Sequence, residues 1–268
     1  MDRQILILPD IDLRINRKTS LNRLCDISDW RVGGVLSGIM AELREGTYIH
    51  RKSWEYAMCI HGLRQLDAIR PSARAIAVGA GSERPLYYMA NHIQEMVATD
   101  LYENPDHEGN PAMLTHPEAF APFPYRENHL VVKRMNATQI EYPNETFDFC
   151  FTLSSIEHFG SRENSRMAME EMRRVVKRGG IICVATELIL NDSTHHEYFT
   201  LNELQETIIN VDGLNLVGGE LDLRISRSIV ENPIRLDLEK DLHVSPHIVM
   251  QHGENVWTSV ILFFQKSH

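Results

Sequence analysis

Apolar residues along this chain fall into two patterns. One is the short continuous run bounded by turn residues, which reads as a strand buried on both faces. Such runs occur at Ala75–Val78, Met96–Thr99, Leu130–Met135, Phe147–Leu153, Ile181–Thr186, Leu214–Val217 and Val256–Phe264. The other is the stripe with apolar positions three and four apart, which reads as an amphipathic helix. Stripes cover Val35–Leu43, Trp54–Leu66, the stretch from the turn after Val78 to about Ile93, Asn164–Val176, and a segment from Thr200 to about Ile209. Punctuation agrees with the pattern. Pro71 stops the second stripe, and Lys177-Arg-Gly-Gly180 stops the helix before it. Thr200-Leu-Asn-Glu203 has the spacing of a capping box.

Strands that alternate with helices build a parallel sheet covered on both faces. The expected fold is therefore α/β, a Rossmann-like doubly wound sheet of seven strands. Residues 1–70, which precede the first run and carry two helical stripes, are expected to form an N-terminal helical cap on a main domain spanning 71–268. Between the second and third runs lies a long connection, 102–129, without periodicity. It holds five of the chain's 11 prolines together with Phe120, Phe123 and Tyr125. A connection of that length is functional or disordered, and its aromatics favour order. It leaves the carboxyl end of a strand, so it is expected to fold as a lid-like segment over the ligand side.

With 43% hydrophobic residues, 24% charged residues and 268 positions, the chain has the composition of a globular protein able to bury a large core. A net charge of -10 disfavours a nucleic-acid partner. No apolar run reaches the ~18 residues of a membrane span, and the first residues lack the pattern of a signal peptide. The four cysteines, Cys25, Cys59, Cys150 and Cys183, include no CxxC pair and read as buried thiols of a reducing compartment. A cytoplasmic location follows as the expectation, and oligomeric state is left open.

The candidate chemistry begins at Ala75-Ile-Ala-Val-Gly-Ala-Gly-Ser-Glu-Arg84. A strand that ends in Gly79-Ala80-Gly81 brings backbone close to a ligand, because no Cβ intervenes at the glycines. Asp100 ends the next strand, about 20 residues on, where a carboxylate binds ribose hydroxyls. A dinucleotide fingerprint would carry a third glycine. Ser82-Glu83-Arg84 stands there instead, and a carboxylate at the start of a helix repels a pyrophosphate. After the glycine turn and Asp100 come Asn136-Ala137, then Phe147-Asp148 running into Leu153-Ser-Ser-Ile-Glu-His-Phe159, then Arg173–Gly180.

This ordered series resembles the class I S-adenosylmethionine-dependent methyltransferases with small-molecule acceptors, over roughly residues 71 to 186. The resemblance implies S-adenosylmethionine as cofactor and transfer of its methyl group to oxygen or nitrogen of a small acceptor. It implies that Gly79, Ala80 and Gly81 pass beneath the methionine part and ribose. Asp100 would hold both ribose hydroxyls, and Leu101 would cover the adenine. Asn136 and Ala137 would meet the adenine edge, and Leu153, Ser154 and Ser155 would line the methionine arm. Family members often carry an acid two residues before the first glycine, where this chain has Ala77. Glu83 is the expected substitute.

Displacement at a sulfonium depends mainly on alignment, with a base needed for a hydroxyl or protonated amine. Base candidates are His158, His195 and His196, with Glu187 beside them; all follow or end central strands. Arg51 or Lys52, in Tyr48–Trp54, could close on the cofactor carboxylate. His195-His196-Glu197 has no third ligand at a usual spacing, so no metal site is expected. Two other readings stay open: a nicotinamide-dependent oxidoreductase, and a non-catalytic binding subunit on the methyltransferase fold.

Overall fold

The computed structural model describes residues 4–30, 34–46, 48–105, 109–238 and 244–268. Its centre is a 10-stranded sheet. Seven strands form the framework: β1 Arg74–Val78, β2 Glu95–Asp100, β3 Leu130–Arg134, β4 Phe147–Leu153, β5 Val176–Ile189, β6 Leu214–Leu216 and β7 Asn255–Lys266. They lie in the order β3-β2-β1-β4-β5-β7, with β6 on the far edge of β7. The first five are parallel, and β7 runs antiparallel to β5 from Trp257↔Ile189 to Gln265↔Ile181. The order reverses beside β1, between β2 and β4. Ligands of open α/β sheets bind outside the carboxyl ends of the strands at such a point. This is the Rossmann-like α/β fold read from the sequence.

The longer helices are α1 Val35–Glu42, α2 Arg51–Gln65, α3 Arg84–His92 and α4 Arg162–Val175. Pro85 stands in the first turn of α3, where its fixed φ suits helix entry. Ser161 caps α4 by accepting from the Asn164 N–H. The capping box at Thr200 forms in both directions, and Leu201–Leu204 then continues as a π-helical turn over Gln205–Ile209.

Residues 1–70 are tied into the sheet as well as lying on it. Helix α2 packs against the sheet so closely that a Cβ on Gly62 would stand 2.1 Å from the Phe263 ring. The short strand Arg23–Leu24 pairs with Val260 and Ile261 at the free edge of β7. Leu6–Leu8 pairs with Arg224–Ser226 in a separate two-stranded sheet. One apolar core runs through both parts, from Leu24, Ile39 and Trp54 to Phe149, Val184 and Phe263. The described part of residues 1–70 therefore shares its core with the rest of the chain and carries strands besides its two longer helices.

Two further segments depart from the sequence pattern. The glycines at 179 and 180, expected as a helix stop, lie within the long strand β5, which starts at Val176. They produce a register shift opposite Phe147 and Phe149. The connection 102–129 forms three 3-10 turns, Pro111–Leu114, Pro117–Phe120 and Glu127–His129. Phe120, Phe123 and Tyr125 pack on the main core, and the Tyr87 hydroxyl of α3 donates to the Pro117 carbonyl at 2.9 Å. Its aromatics draw the segment onto the flank of the sheet. Among its described residues only Gly109 reaches the ligand side, where it lies close to Asp100. Residues 106–108 lie outside the described residues.

Candidate active site

A cavity of about 990 Å³ opens at the carboxyl ends of β1, β2 and β4, at the point where the strand order reverses. That is at the upper end of the range for small-molecule sites, about 300–1,000 Å³. Its walls come from parts of the chain that are far apart in sequence.

At one end stand the glycine turn and Asp100. Gly79 has φ +65 and Gly81 φ +48, both in the left-handed region that favours glycine. A Cβ at Gly79 would lie 2.6 Å from the Ser155 Cβ, so the turn and the end of β4 are packed at backbone distance. The Asp100 carboxylate accepts from the Gly81 N–H at 3.0 Å and from the Tyr102 N–H at 3.3 Å. It has about four lone-pair sites, so two remain for a ligand. The exposed side chain of Leu101 continues the same wall as an apolar surface. Asn136, Ala137 and Thr138 complete this end; the Asn136 Oδ1 accepts from the Thr138 N–H and hydroxyl.

At the other end are Ser154 and Ser155 and the start of α2. Ser154 has φ +50, which is uncommon for a residue with a side chain. Its hydroxyl donates to Glu55 at 2.8 Å, while the Ser155 hydroxyl donates to the Gly79 carbonyl at 2.6 Å. Ser155 thus fastens the glycine turn to β4 and makes no side-chain cap for the 3-10 turn that follows. Lys52 donates to the Leu153 carbonyl at 2.8 Å and pairs with Glu83 at 2.8 Å. Arg51 pairs with Glu55 at 3.2 Å and also with Glu187 at the end of β5. Burial alone would push the Glu55 carboxyl up; Lys52 and Arg51, with the Ser259 and Ser154 hydroxyls, hold it below the usual range. Glu157 behaves oppositely. Burial, reinforced by Glu187, pushes its carboxyl up to about 7, although it accepts from the Thr186 hydroxyl at 2.7 Å.

Of the residues singled out in the sequence, the cavity wall holds Gly79, Gly81, Asp100, Leu101, Asn136, Ala137, Ser154, Ser155, His158, Glu187, Arg51 and Lys52. Ala80, Glu83 and Leu153 stand behind it. Glu83 is 3% exposed and touches Lys52, so it acts on the site through that lysine. His158 lies 2.9 Å from Glu197 through Nδ1; burial opposes its protonated form, but Glu157 and Glu197 outweigh it and raise its pKa. That favours imidazolium, a poor proton acceptor.

His195 and His196 are outside the wall. Ligand atoms of His195, His196 and Glu197 gather within 4.8 Å. However, the His195 Nδ1 accepts from the N–H groups of Glu197 and Tyr198, which places the ring proton on Nε2 and leaves no lone pair there for an ion.

Sequence reasoning missed two cavity residues that meet across the longest separation. His50 and His247 stack with ring centroids 4.1 Å apart and planes 5° apart. They are brought together by a parallel bridge, in which the His247 N–H donates to Ile49 and the Arg51 N–H to His247. His247 lies in a stretch with no clear periodicity, and only the partner strand reveals it.

Comparison with known proteins agrees with this geometry. Residues 76–184 match the profile of the family described as "Methyltransferase domain". No curated protein matches the chain. Among solved structures, the chain is similar to a putative sarcosine dimethylglycine methyltransferase from Galdieria sulphuraria, at 12% identity and TM-score 0.52, over 81% of this chain and 85% of that one. It is similar to a structure of the Haloferax volcanii Trm112 methyltransferase activator in complex with a putative methyltransferase, at 14% identity and TM-score 0.53, over 87% and 96%. The YcgJ protein of Bacillus subtilis superposes at TM-score 0.50 with 16% identity, over 78% and 99%. At these identities the likeness is one of fold. The chain thus shares the Rossmann-like fold of these structures, and its residues 76–184 are similar to the methyltransferase-domain family.

Proposed function

We propose that the chain binds S-adenosylmethionine in this cavity and transfers its methyl group to oxygen or nitrogen of a small-molecule acceptor. The observation that carries the reading is the Asp100 carboxylate, fixed by two backbone N–H groups with lone pairs left facing the cavity, beside the exposed Leu101. That pairing suits a ribose and its base. The close approach at Gly79 leaves room for a ligand only against bare backbone. Arg51 and Lys52 at the other end suit the methionine carboxylate.

The bound cofactor supplies an already activated methyl group. The protein's task is then to hold donor and acceptor in line and to exclude water. Gly79 and Ser155, tied by a hydrogen bond, and Ser154, held by Glu55, form the wall along which the acceptor approaches. The Glu83–Lys52 pair speaks against a nicotinamide dinucleotide. It puts a carboxylate at the start of α3, where a pyrophosphate would need bare N–H groups.

Calorimetry with S-adenosylhomocysteine and with NAD tests this. Micromolar binding of the first and none of the second is expected; the reverse result refutes the reading. Tight S-adenosylhomocysteine binding with no turnover on a broad pool of small molecules would favour a binding subunit on the same fold.

A further inference from the structure

A second cavity, of about 430 Å³, lies against residues 10–30, and none of its described wall residues borders the first. Its volume falls within the range of small-molecule sites. Part of its wall is Asp10 and Arg14 of the short helix Asp10–Ile15, with Arg17 just past the helix end. The rest includes Ile27 and Trp30, in and beside the 3-10 turn Ile27–Asp29.

Hydrogen bonds set the frame of this cavity. The buried Asp26 carboxylate accepts from the N–H groups of Ser28 at 2.9 Å and Ser226 at 2.6 Å, and from the Ser226 hydroxyl at 3.0 Å. It thereby ties the 3-10 turn to the strand Arg224–Ser226. Asp10 accepts from the N–H and hydroxyl of Ser228, at 3.2 and 2.5 Å, which docks the short helix on the chain beyond that strand.

The cations of this region divide into two groups. Arg23 pairs with Asp29 at 3.3 Å and Arg224 with Asp222 at 2.5 Å. Lys18 donates to the Leu24 carbonyl at 2.9 Å, with Asp29, Asp26 and Asp222 around it. Arg14 and Arg17, by contrast, have neither ion pair nor hydrogen bond among the described residues, and both are exposed. A single exposed arginine is ordinary surface. Two on the wall of one cavity, in a chain of net charge -10, make a positive site against the field of the whole molecule. With Asp10 they leave one positive charge on the wall. Behind it, Lys18, Arg23 and Arg224 balance Asp26, Asp29 and Asp222.

We propose that this cavity is a second ligand site, for a small organic monocarboxylate with an aromatic or aliphatic body. The planar guanidinium forks of Arg14 and Arg17 suit the two oxygens of a carboxylate. Ile27 and the Trp30 ring supply apolar surface for the body. One carboxylate cancels the one positive charge. A phosphate monoester overshoots it beside Asp10, and an amine adds to it. The site does not depend on the cofactor reading.

The test uses the full chain and 3-phenylpropionate, with 3-phenylpropionamide, 3-phenylpropylamine and 2-phenylethyl phosphate as matched compounds. Calorimetry and the indole 15N–1H resonance of Trp30 follow binding at low salt, where exposed charges are least screened. The acid is expected to bind with a Kd of about 1 mM or tighter, and to shift Trp30 more than Trp54 or Trp257. The amide and the amine should bind at least about tenfold more weakly, as loss of a hydrogen bond between charged groups implies. The phosphate should bind no more tightly than the acid, and saturating S-adenosylhomocysteine should not displace the acid. The double variant Arg14→Gln, Arg17→Gln should weaken the acid at least about tenfold. Its melting temperature should be unchanged, because neither side chain holds another described part of the chain.

The proposal is overturned if the acid fails to bind at about 10 mM, if the amide or amine matches it, or if the phosphate binds more than about tenfold more tightly. It is equally overturned if S-adenosylhomocysteine displaces the acid, which would place it in the first cavity, or if the double variant binds it within about threefold of the parent.

Discussion

Replacing Asp100 by alanine removes the group on which the cofactor reading rests, and the structure sets the size of the loss. The carboxylate spends two of its lone-pair sites on the N–H groups of Gly81 and Tyr102, at 3.0 and 3.3 Å. Two sites remain, matching the two hydroxyls of a ribose. A hydrogen bond to a charged group contributes about 1.5–3 kcal/mol, so loss of both weakens binding by about 3 kcal/mol or more. At 1.4 kcal/mol per tenfold, that is roughly 100-fold or more in Kd. Fold stability falls less, by about 1 kcal/mol, because only the Gly81 bond is short enough to count fully.

Asp100→Asn separates the two effects. Its one oxygen can keep the Gly81 bond, while its amide N–H groups meet the ribose as donors. Its affinity should fall about tenfold to 100-fold with the melting temperature almost unchanged. Calorimetric titration with S-adenosylhomocysteine, beside thermal unfolding of the same samples, reads both quantities. If Asp100→Ala bound S-adenosylhomocysteine within about threefold of the parent, the ribose assignment would be refuted.

Gly79→Ala places a Cβ 2.6 Å from that of Ser155 at φ +65. It should cost at least about 1–2 kcal/mol of stability from the backbone alone and weaken S-adenosylhomocysteine binding; an unchanged melting temperature would contradict the packing described. Glu83→Gln breaks a buried pair with Lys52, so the melting temperature should fall, by an amount equivalent to as much as about 3–5 kcal/mol. Cofactor affinity should change little unless Lys52 moves, which calorimetry on the variant would detect. Glu157 has its folded pKa raised to about 7 from an ordinary 4.5, so the folded state favours the protonated form. Its contribution is full below about pH 4.5 and is lost as pH rises through about 7. Glu157→Gln should therefore gain stability relative to the parent between pH 5 and 8 in urea unfolding, and a parallel pair of pH profiles would contradict this.

Much of the fold was legible because a parallel sheet buries both faces of its strands and leaves continuous apolar runs. All seven runs became strands, within a few residues at each end. The bulge at Gly179 and Gly180 was not legible, since two glycines after a helix look the same whether they end it or bend the strand behind it. The course of 102–129 was not legible for a related reason. Its aromatics announced order, but which surface they would cover depended on Tyr87 and the flank of α3. The added edge strands, such as Arg23–Leu24 on β7, are too short to have a periodicity of their own.

At the site, local sequence determined the parts that act through backbone geometry. The Gly79-Ala80-Gly81 turn, Asp100 at a strand end and the Ser154-Ser155 corner each carry their meaning in a few neighbouring residues. Tertiary structure alone decided the electrostatic end of the cavity. Arg51 meets Glu187, Lys52 meets Glu83, and His50 meets His247 only after α2 and the strands β5 and β7 have packed. Their roles follow from desolvation and mutual charge, which are properties of the assembled neighbourhood. Glu83 shows the division most clearly. The sequence placed a carboxylate at the helix start, and the fold buried that carboxylate against a half-buried lysine.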